Sequence, residues 1–454
     1  MLVGSLDFTH LAIQSLGRAR GRTSSPLMLL PVSHRVNERG HLEIGGCDLI
    51  ELAQRHGTPL YVYDEATVRS RCQEFMAAMG DRGEVLYSAK AFASPGFLRI
   101  VASEGLGLDV VSAGELHIAL RAGYPTDRIY FLGNNKSEED VAAAIAAGAT
   151  LVLDGFHDIE LLRRVVPAGH RQRCLVRVSP GVDAQTHAFI ATGQLDSKFG
   201  FSIESGAARA AVEQALALDS IQLEGLHSHI GSQIYDLGGH LQALEIMLDL
   251  LAQLKRELGY EPRKLGAGGG LGIAYTEQDD PPTPAEFVGT LLAALAGGAS
   301  ARSLPQPALV VEPGRAIAGP AGVALYTVGS IKDIPGVRRY VAVDGGMGDN
   351  IRPKLYDALY QPLLAHDPEG AATETVSIAG KYCESTDILV SDARLPSVRT
   401  GDILVIPAAG AYCLAMASQY NGLPRPAVVI VSGGRDRLIR RRETYDDLLA
   451  AEIL

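Results

Sequence analysis

Apolar and polar positions alternate with a regular rhythm from residue 84 to about residue 317. Eight short apolar runs predict β-strands, at 84–90, 107–112, 128–133, 149–155, 173–180, 221–231, 263–270 and 308–315. The segments between them carry apolar residues at i, i+3 and i+4, the spacing of a helix with one buried face. Eight strands joined by seven helices are the count of a (β/α)8 barrel, although an open, doubly wound sheet shows the same alternation.

Residues at the ends of the helical segments favour the same assignment. Ser94 and Pro95 offer an N-cap followed by proline at the first helical position. Ser137 with Asp140 three residues later resembles a capping box. Glycine is favoured where a helix ends, and three helical stretches are followed by Gly105, Gly123 and Gly148.

The rhythm changes after residue 317. Strand-like runs continue, but few long helical patterns separate them, which predicts a mostly β C-terminal domain at 318–454. We expect the barrel at 61–317 and an N-terminal segment, 37–60, that packs with the β domain, because chain termini often lie close together.

Residues 1–36 form an extension with four arginines (Arg18, Arg20, Arg22, Arg35) against one acid, Asp7. An Arg-rich, acid-poor start is also typical of a transit peptide. We favour a poorly ordered extension or a start codon assigned too early. No apolar segment with a small-residue cleavage site indicates secretion.

Composition excludes several classes of function. The formal net charge of −11 argues against general nucleic-acid binding, which needs a basic surface. No apolar run reaches the roughly 18 residues of a membrane span. The five cysteines are scattered and lack C-x-x-C spacing, so neither a disulfide framework nor a metal site is expected, and a cytoplasmic location is the simplest interpretation.

Candidate chemistry follows the predicted strands. The carboxyl ends of barrel strands carry active sites, and the residues there are Lys90, His229, the run Gly268, Gly269 and Gly270, Glu312 and Arg315. The glycine run does not fit G-x-G-x-x-G, because the pattern breaks at Leu271 or Ile273, so a dinucleotide fold is not indicated. Glycine amides can instead hold a phosphate.

Together these residues predict pyridoxal 5′-phosphate (PLP) as cofactor. A lysine can form a Schiff base with an aldehyde. An acid such as Glu312 can keep a ring nitrogen protonated. Aldehyde, phosphate and ring nitrogen occur together in PLP, the electron sink of carbanion chemistry.

The chain resembles the diaminopimelate decarboxylases, in the alanine-racemase-like barrel group of PLP enzymes, from about residue 40 to its C-terminus. The resemblance depends on motifs that occur in order along the chain: YSAKAF (87–92), LDVVSAGEL (108–116), GNNKS (133–137), HSHIGSQI (227–234), GGGLGI (268–273), EPGRAI (312–317), DGGMGDNIRPKLY (344–356), CESTD (383–387) and GAYCLAMASQYN (410–421). It implies PLP-dependent decarboxylation of meso-2,6-diaminopimelate to L-lysine and CO2, the last step of lysine biosynthesis.

The resemblance also implies roles for single residues. Lys90 would form the Schiff base with PLP and Cys383 would donate the proton. The cofactor would be bound by His229 stacked on its ring, Glu312 at its pyridine nitrogen, and Ser232, Gly268, Gly269, Gly270, Pro313, Gly314, Arg315 and Tyr412. The substrate would contact Arg315, Arg352, Tyr356, Glu384 and Tyr412. The resemblance further implies a homodimer with shared active sites, in which CES and NIRPKLY come from the second subunit.

The types of the predicted substrate-binding residues favour a substrate with a carboxylate and an ammonium at its far end. An arginine with a tyrosine, Arg352 and Tyr356, suits a distal carboxylate, because guanidinium and carboxylate pair through two hydrogen bonds. Glu384 suits a distal ammonium, whereas enzymes of the ornithine type typically have aspartate at this position. Three alternatives stay open here: another PLP decarboxylase that acts on ornithine, arginine or carboxynorspermidine, a racemase on the same fold, and an inactive homologue that acts as a binding protein.

Overall fold

The computed structural model describes residues 26–182 and 197–453. The first described elements are a 3-10 turn at Pro26–Leu29 and a small antiparallel sheet of three strands. These first elements are β1 (Arg35–Val36), β2 (Leu42–Ile44), β3 (Cys47–Asp48), α1 (Leu49–His56) and β4 (Leu60–Asp64). Asp48 caps α1, because its side chain accepts hydrogen bonds from the backbone N–H groups of Ile50 and Glu51.

The central region alternates strands and helices as the sequence predicts. Its strands are β5 (Gly83–Ser88), β6 (Gly107–Val110), β7 (Ile129–Phe131), β8 (Thr150–Leu153), β9 (Gln172–Ser179), β10 (Phe201–Ser202), β11 (Ile221–His227), β12 (Lys264–Gly268) and β13 (Ala308–Val311). Its helices are α2 (Glu65–Met79), α3 (Pro95–Ser103), α4 (Ala113–Ala122), α5 (Glu138–Ala147), α6 (Phe156–Val165), α7 (Ala207–Leu216), α8 (Gly238–Leu258), α9 (Pro284–Ala301) and α10 (Arg315–Ala321).

Eight of these strands close into a parallel barrel. Each pairs with the next in the order β5, β6, β7, β8, β9, β11, β12, β13, and β13 returns to β5. The two-residue strand β10 is an addition that pairs with β9. The eight predicted strands are therefore confirmed, and the barrel, not the open sheet, is the fold. The strands are buried on both faces, which explains their nearly continuous apolar runs.

The C-terminal region is mostly sheet. Its elements are β14 (Gly322–Ile334), β15 (Arg338–Val343), α11 (Arg352–Leu355), β16 (Leu363–Leu364), β17 (Glu374–Ala379), β18 (Ile388–Leu395), β19 (Ile403–Ile406), β20 (Ala427–Ser432), β21 (Arg435–Arg440) and α12 (Tyr445–Leu448). The sheet runs β18-β17-β15-β14-β4-β20-β21, and β19 joins β14 and β16 at its side. The long strand β14 connects the two halves of this sheet.

Two boundaries differ from the sequence prediction. Residues 61–64, expected at the start of the barrel, belong to β4, which pairs with β14 and β20 in the second sheet. Residues 26–36, expected to belong to a poorly ordered extension, pack on the rest of the chain. Leu29 and Leu30 are buried, and Val36 pairs with Leu42. Residues 1–25 lie outside the described residues.

The predicted helix ends agree with the structure in part. Ser137 and Asp140 form the capping box. Gly123 and Gly148 end their helices in the left-handed conformation, with φ of 74° at each. Ser94 precedes Pro95 and α3 but makes no side-chain capping bond. Among residues 26–182 and 197–453, no helix combines the length and apolar character needed to cross a bilayer.

Candidate active site

A cavity of about 520 Å³ opens where the carboxyl ends of the barrel strands face the β domain. Most of its lining comes from the loops after barrel strands, and Tyr356 and Tyr412 come from the C-terminal region. Predicted site residues in the lining are Lys90, His229, Ser232, Gly270, Glu312, Pro313, Gly314, Arg315, Tyr356 and Tyr412. The residues predicted at the ends of the barrel strands therefore meet at one cavity.

Lys90 lies in one 3-10 turn, Ala89–Ala91, directly after β5. Desolvation alone would lower the pKa of its ammonium. The Tyr412 hydroxyl and the carboxyls of Asp109 and Glu312 favour the charged form more strongly and raise that pKa. Tyr412 is also tied to this turn, because its backbone N–H donates to Ala91 O at 2.9 Å. Lys90 is thus a cation held among acidic groups at the cavity wall.

Glu312 follows β13 and is buried, with 5% of its surface exposed. Its Oε1 atom lies 2.8 Å from Nε2 of His227, which is 1% exposed. Burial alone would raise the pKa of the Glu312 carboxyl, but the charge and hydrogen bond of His227, followed by Lys90, lower it. Glu312 is therefore a buried carboxylate beside the cavity.

Asp109, at the end of β6, is a second buried acid in the lining. Ser88 donates its hydroxyl to Oδ2 of Asp109, and Oδ1 has no hydrogen-bond partner among the described residues. Burial, with the charge of Glu312, raises the pKa of Asp109 to about 7. An unpartnered buried oxygen next to a cavity indicates a place where a ligand atom can bind.

The glycine run after β12 passes close to other backbone. A Cβ atom on Gly268 would lie 2.5 Å from Ser228 O, and one on Gly269 would lie 2.2 Å from Glu312 O. Gly269 donates its N–H to Nδ1 of His229 at 3.2 Å. Of the three glycines, Gly270 alone belongs to the lining described for this cavity.

His229 is neutral in this setting. Burial, then the charges of Lys90 and Arg177, lowers its pKa well below the ordinary value. Because Nδ1 accepts from Gly269, the ring is held by the glycine run.

Arg315 opens α10 and is 6% exposed. Its Nη2 donates to Ser232 Oγ at 2.8 Å and its Nη1 to the Tyr275 hydroxyl at 2.6 Å. Its guanidinium lies 4.8 Å from the centre of the Tyr412 ring. Tyr412 itself has a φ of 60°, a strained value for a non-glycine residue that is common at functional sites.

Arg352 and Tyr356 lie on and after the short helix α11. Arg352 is 3% exposed, donates to the Tyr360 hydroxyl, and its guanidinium lies 4.4 Å from the centre of the Tyr275 ring. Tyr356 lines the cavity of its own chain. The expectation that NIRPKLY comes from the second subunit is therefore wrong: α11 packs beside the cavity of the same chain.

Cys383 and Glu384 lie elsewhere. Both are exposed, and neither belongs to the cavity lining of this chain. The backbone N–H of Cys383 donates to Asn421 Oδ1 at 2.8 Å. Cys383 is thus not the buried filler that a cysteine between strands usually is.

Several residues of the site are absent from the sequence prediction. They are Asp109, His227, Arg177, Lys136 and Tyr275. Asp109 and Arg177 lie one and two residues before the carboxyl ends of β6 and β9, so a search that includes the last residues of each strand can find them. His227 belongs to H-S-H, but nothing in that motif indicates which partner it has. Tyr275 lies in a loop, and its sequence context carries no indication of its contacts.

The residues present fit PLP. An amine faces the cavity for an aldehyde, a buried carboxylate is available for a ring nitrogen, and a neutral imidazole is available for a ring face. Gly270 and Gly314 bring backbone without side chains into the cavity wall, where a phosphate can approach the amide groups. The cavity volume also falls within the range of cofactor sites, roughly 300–1,000 Å³.

Comparison with known proteins supports the same assignment. Residues 65–319 match the family model described as pyridoxal-dependent decarboxylase, pyridoxal binding domain. The chain is similar to a diaminopimelate decarboxylase of Bacillus subtilis, with 46% identity over 94% of this chain and 98% of the relative. It is 47% identical to a diaminopimelate decarboxylase of Mycobacterium tuberculosis, over 92% of this chain and 96% of the relative.

Solved structures show the same likeness. The crystal structure of diaminopimelate decarboxylase from M. jannaschii in complex with L-lysine superposes with a TM-score of 0.87. That alignment has 34% identity and covers 93% of this chain and 98% of the other.

Proposed function

The chain belongs to the diaminopimelate decarboxylases, and from this premise we infer that it converts meso-2,6-diaminopimelate to L-lysine and CO2 with PLP as cofactor. The reaction is the last step of lysine biosynthesis. The observation that carries the inference is the meeting of Lys90, Glu312 and Arg315 at one cavity in a chain 46% identical to such an enzyme. The roles given to single residues below are our proposals.

Three side chains would hold the cofactor ring. Lys90 would bind the aldehyde carbon, Glu312 would accept a hydrogen bond from the protonated pyridine nitrogen, and His229 would lie on one face of the ring. PLP supplies the electron sink that accepts the pair of electrons released when the carboxylate leaves. Glu312 supports this by staying ionised, as its lowered pKa requires.

The phosphate would be bound mainly by backbone and hydroxyl groups. Gly270 and Gly314 offer N–H groups in the cavity wall, and Tyr412 adds a hydroxyl. Ser232 accepts a hydrogen bond from Arg315, which leaves its own hydroxyl hydrogen to donate. Gly268 and Gly269 would shape the loop, because Gly269 already donates to His229.

The far end of the substrate would be recognised by charge. Arg352 keeps donor capacity, because its Nε has no hydrogen-bond partner among the described residues. Tyr275 connects it with Arg315: the Arg352 guanidinium covers its ring and Arg315 binds its hydroxyl. With Tyr356, these two arginines suit the carboxylates of the substrate. Glu384 would bind the distal ammonium.

The carbon that loses CO2 must gain one proton, and we propose that the thiol of Cys383 donates it. Since Cys383 and Glu384 are exposed and outside the cavity of their own chain, they would serve the cavity of a second subunit in a homodimer. Tyr420, 44% exposed and stacked on Tyr382 beside Cys383, provides apolar surface for such a contact.

A substrate panel tests the function. The protein is incubated with PLP and, in separate reactions, meso-diaminopimelate, L-ornithine, L-arginine or carboxynorspermidine, and CO2 and amine products are quantified. We expect CO2 and L-lysine in equal amounts from diaminopimelate. CO2 from ornithine or arginine alone would favour the other decarboxylases, interconversion of enantiomers without CO2 would indicate a racemase, and no reaction would favour a binding protein.

A further inference from the structure

His240 lies at the start of α8, behind the glycine run, and is not among the residues that line the cavity. It is 2% exposed, and its Nε2 lies 2.9 Å from Gly269 O. Its ring packs edge-on against Phe287, with 5.2 Å between ring centres and 84° between planes. Because a carbonyl oxygen only accepts hydrogen bonds, Nε2 carries the hydrogen and His240 is the donor.

Burial and this hydrogen bond together define the charge and the tautomer of the His240 ring. Burial lowers the pKa of His240, so the imidazole is neutral and has one N–H. Its Nδ1 has no hydrogen-bond partner among the described residues. The single N–H of this buried ring is therefore directed at the Gly269 carbonyl.

The carbonyl of Gly269 shares a peptide group with the N–H of Gly270. The described residues contain one cis peptide bond, Thr58–Pro59, so the group between Gly269 and Gly270 is trans. In a trans peptide the C=O and N–H point in opposite directions. A donor that holds Gly269 O on the α8 side therefore turns the Gly270 N–H away from α8.

The same loop is held from its other side. Gly269 donates its N–H to His229 Nδ1, and Gly270 O accepts from the N–H of Ile234 at 2.9 Å. Gly270 has a φ of 102°, and a Cβ there would lie 2.7 Å from Gly231 O. Close packing and these hydrogen bonds hold the loop from both sides, with Gly270 in the cavity wall.

We propose that His240 is a positioning residue, which fixes the Gly270 peptide so that its N–H meets the phosphate of PLP. The proposal rests on the proposed function, in that Gly270 is taken to bind the phosphate. It predicts that His240 affects the phosphate end of the cofactor and leaves the ring end unchanged.

Comparing the affinities for PLP and for pyridoxal, which lacks the phosphate, distinguishes an effect on the phosphate end from an effect on the ring end. Cofactor-free protein is titrated with each compound by absorbance or fluorescence, in wild type and in His240→Phe, which keeps the packing on Phe287 but loses the donor. We expect His240→Phe to weaken PLP binding about tenfold, the effect of one lost hydrogen bond to a buried acceptor. Binding of pyridoxal should not change, and kcat at saturating PLP should stay close to wild type.

Three further variants give the test its controls. His240→Gln places an amide N–H near the position of Nε2 and should restore PLP affinity, whereas His240→Asn is too short and should not. Phe287→Leu alters the packing on the ring, keeps the donor and should preserve the ratio of PLP to pyridoxal affinity. Equal weakening of both ligands in His240→Phe, or no change in either, would refute the proposal. A wild-type protein that binds PLP no better than pyridoxal would instead refute the proposed phosphate site itself.

Discussion

His227 contributes most to keeping the pKa of Glu312 low. Both side chains are buried, and burial alone would raise the pKa of the Glu312 carboxyl. The ring of His227 fits because residue 266 is glycine: a Cβ there would lie 2.9 Å from His227 Cδ2. Gly266 therefore affects the charge of Glu312 indirectly, because it leaves room for the ring of His227.

This arrangement predicts a pH effect. Replacing His227 by leucine removes the charge and the hydrogen bond that lower the pKa of Glu312 most, so only Lys90 and Arg177 still oppose burial and that pKa rises. Activity requires the ionised form and is lost as pH falls through the pKa. We therefore expect the acidic limb of kcat/KM against pH to move to higher pH. At its acidic end, kcat/KM should fall about tenfold for every pH unit by which the limb moves.

His227→Gln serves as the matched control, because its amide N–H can reach Glu312 in place of Nε2. Its acidic limb should lie between those of wild type and His227→Leu, because the amide restores the hydrogen bond but not the charge. A His227→Leu profile that falls equally at all pH values would show that His227 only fills space.

At the scale of secondary-structure elements, a buried ion pair between Lys136 and Asp158 joins strands and a helix beside the cavity. Lys136, in the loop after β7, donates to Gly133 O and Val152 O, each at 2.7 Å, and to Asp158 Oδ2 at 2.9 Å. Asp158 lies in the first turn of α6 and also accepts from the N–H of Asp154 at 2.8 Å. The ion pair thereby connects β7, β8 and α6 at the edge of the site.

Breaking this pair on one side should be costly. Asp158→Ala leaves the Lys136 ammonium buried without its partner, and we expect a loss of about 3–5 kcal/mol in the free energy of unfolding. The double variant Lys136→Met with Asp158→Leu removes both charges and should lose much less. Urea unfolding measures both, and an Asp158→Ala variant as stable as wild type would contradict this account.

The strands also show how much of the fold the local sequence predicts. Barrel strands are recognised because a strand buried on both faces is an uninterrupted apolar run, and this property is local. The run 60–64 looks the same, yet β4 pairs with Val323 and Val429 in the other sheet. Its place depends on partners far along the chain, which periodicity does not reveal.

Site residues likewise divide into those that the local sequence locates and those that depend on tertiary packing. Lys90 and Glu312 were located by the ends of barrel strands, whereas Tyr275, which contacts Arg315 and Arg352, lies in a loop whose position is set by tertiary packing. The resemblance implies that NIRPKLY comes from the second subunit, whereas Tyr356 lines the cavity of its own chain. Which cavity a segment reaches depends on tertiary packing, which motifs do not show.

At the scale of the whole molecule, we propose that a second chain completes the site. The cavity holds Lys90, Glu312 and Tyr356, while Cys383 and Glu384 are exposed outside it. A symmetric dimer can supply each cavity with the 383–384 segment of the other subunit, since a two-fold interface repeats every contact.

Mixing two inactive variants tests shared sites. Lys90→Ala lacks the proposed Schiff-base lysine, and Cys383→Ala lacks the proposed proton donor. Random pairing makes half of the dimers mixed, and each mixed dimer has one intact site of two, so L-lysine formation should return in about a quarter of all sites. Each variant alone is the control. No recovery after coexpression would place Cys383 in the site of its own chain.

The identity of the lysine that carries the cofactor tests the central claim most directly. The cavity lining contains two lysines, Lys90 and Lys136, and the Nζ of Lys136 is already bound to two carbonyls and Asp158. Borohydride reduction of the PLP-loaded protein, followed by peptide mapping, identifies the modified residue. We predict modification of Lys90 and none of Lys136. A cofactor fixed to Lys136 or to a lysine outside the cavity would contradict this account of the site.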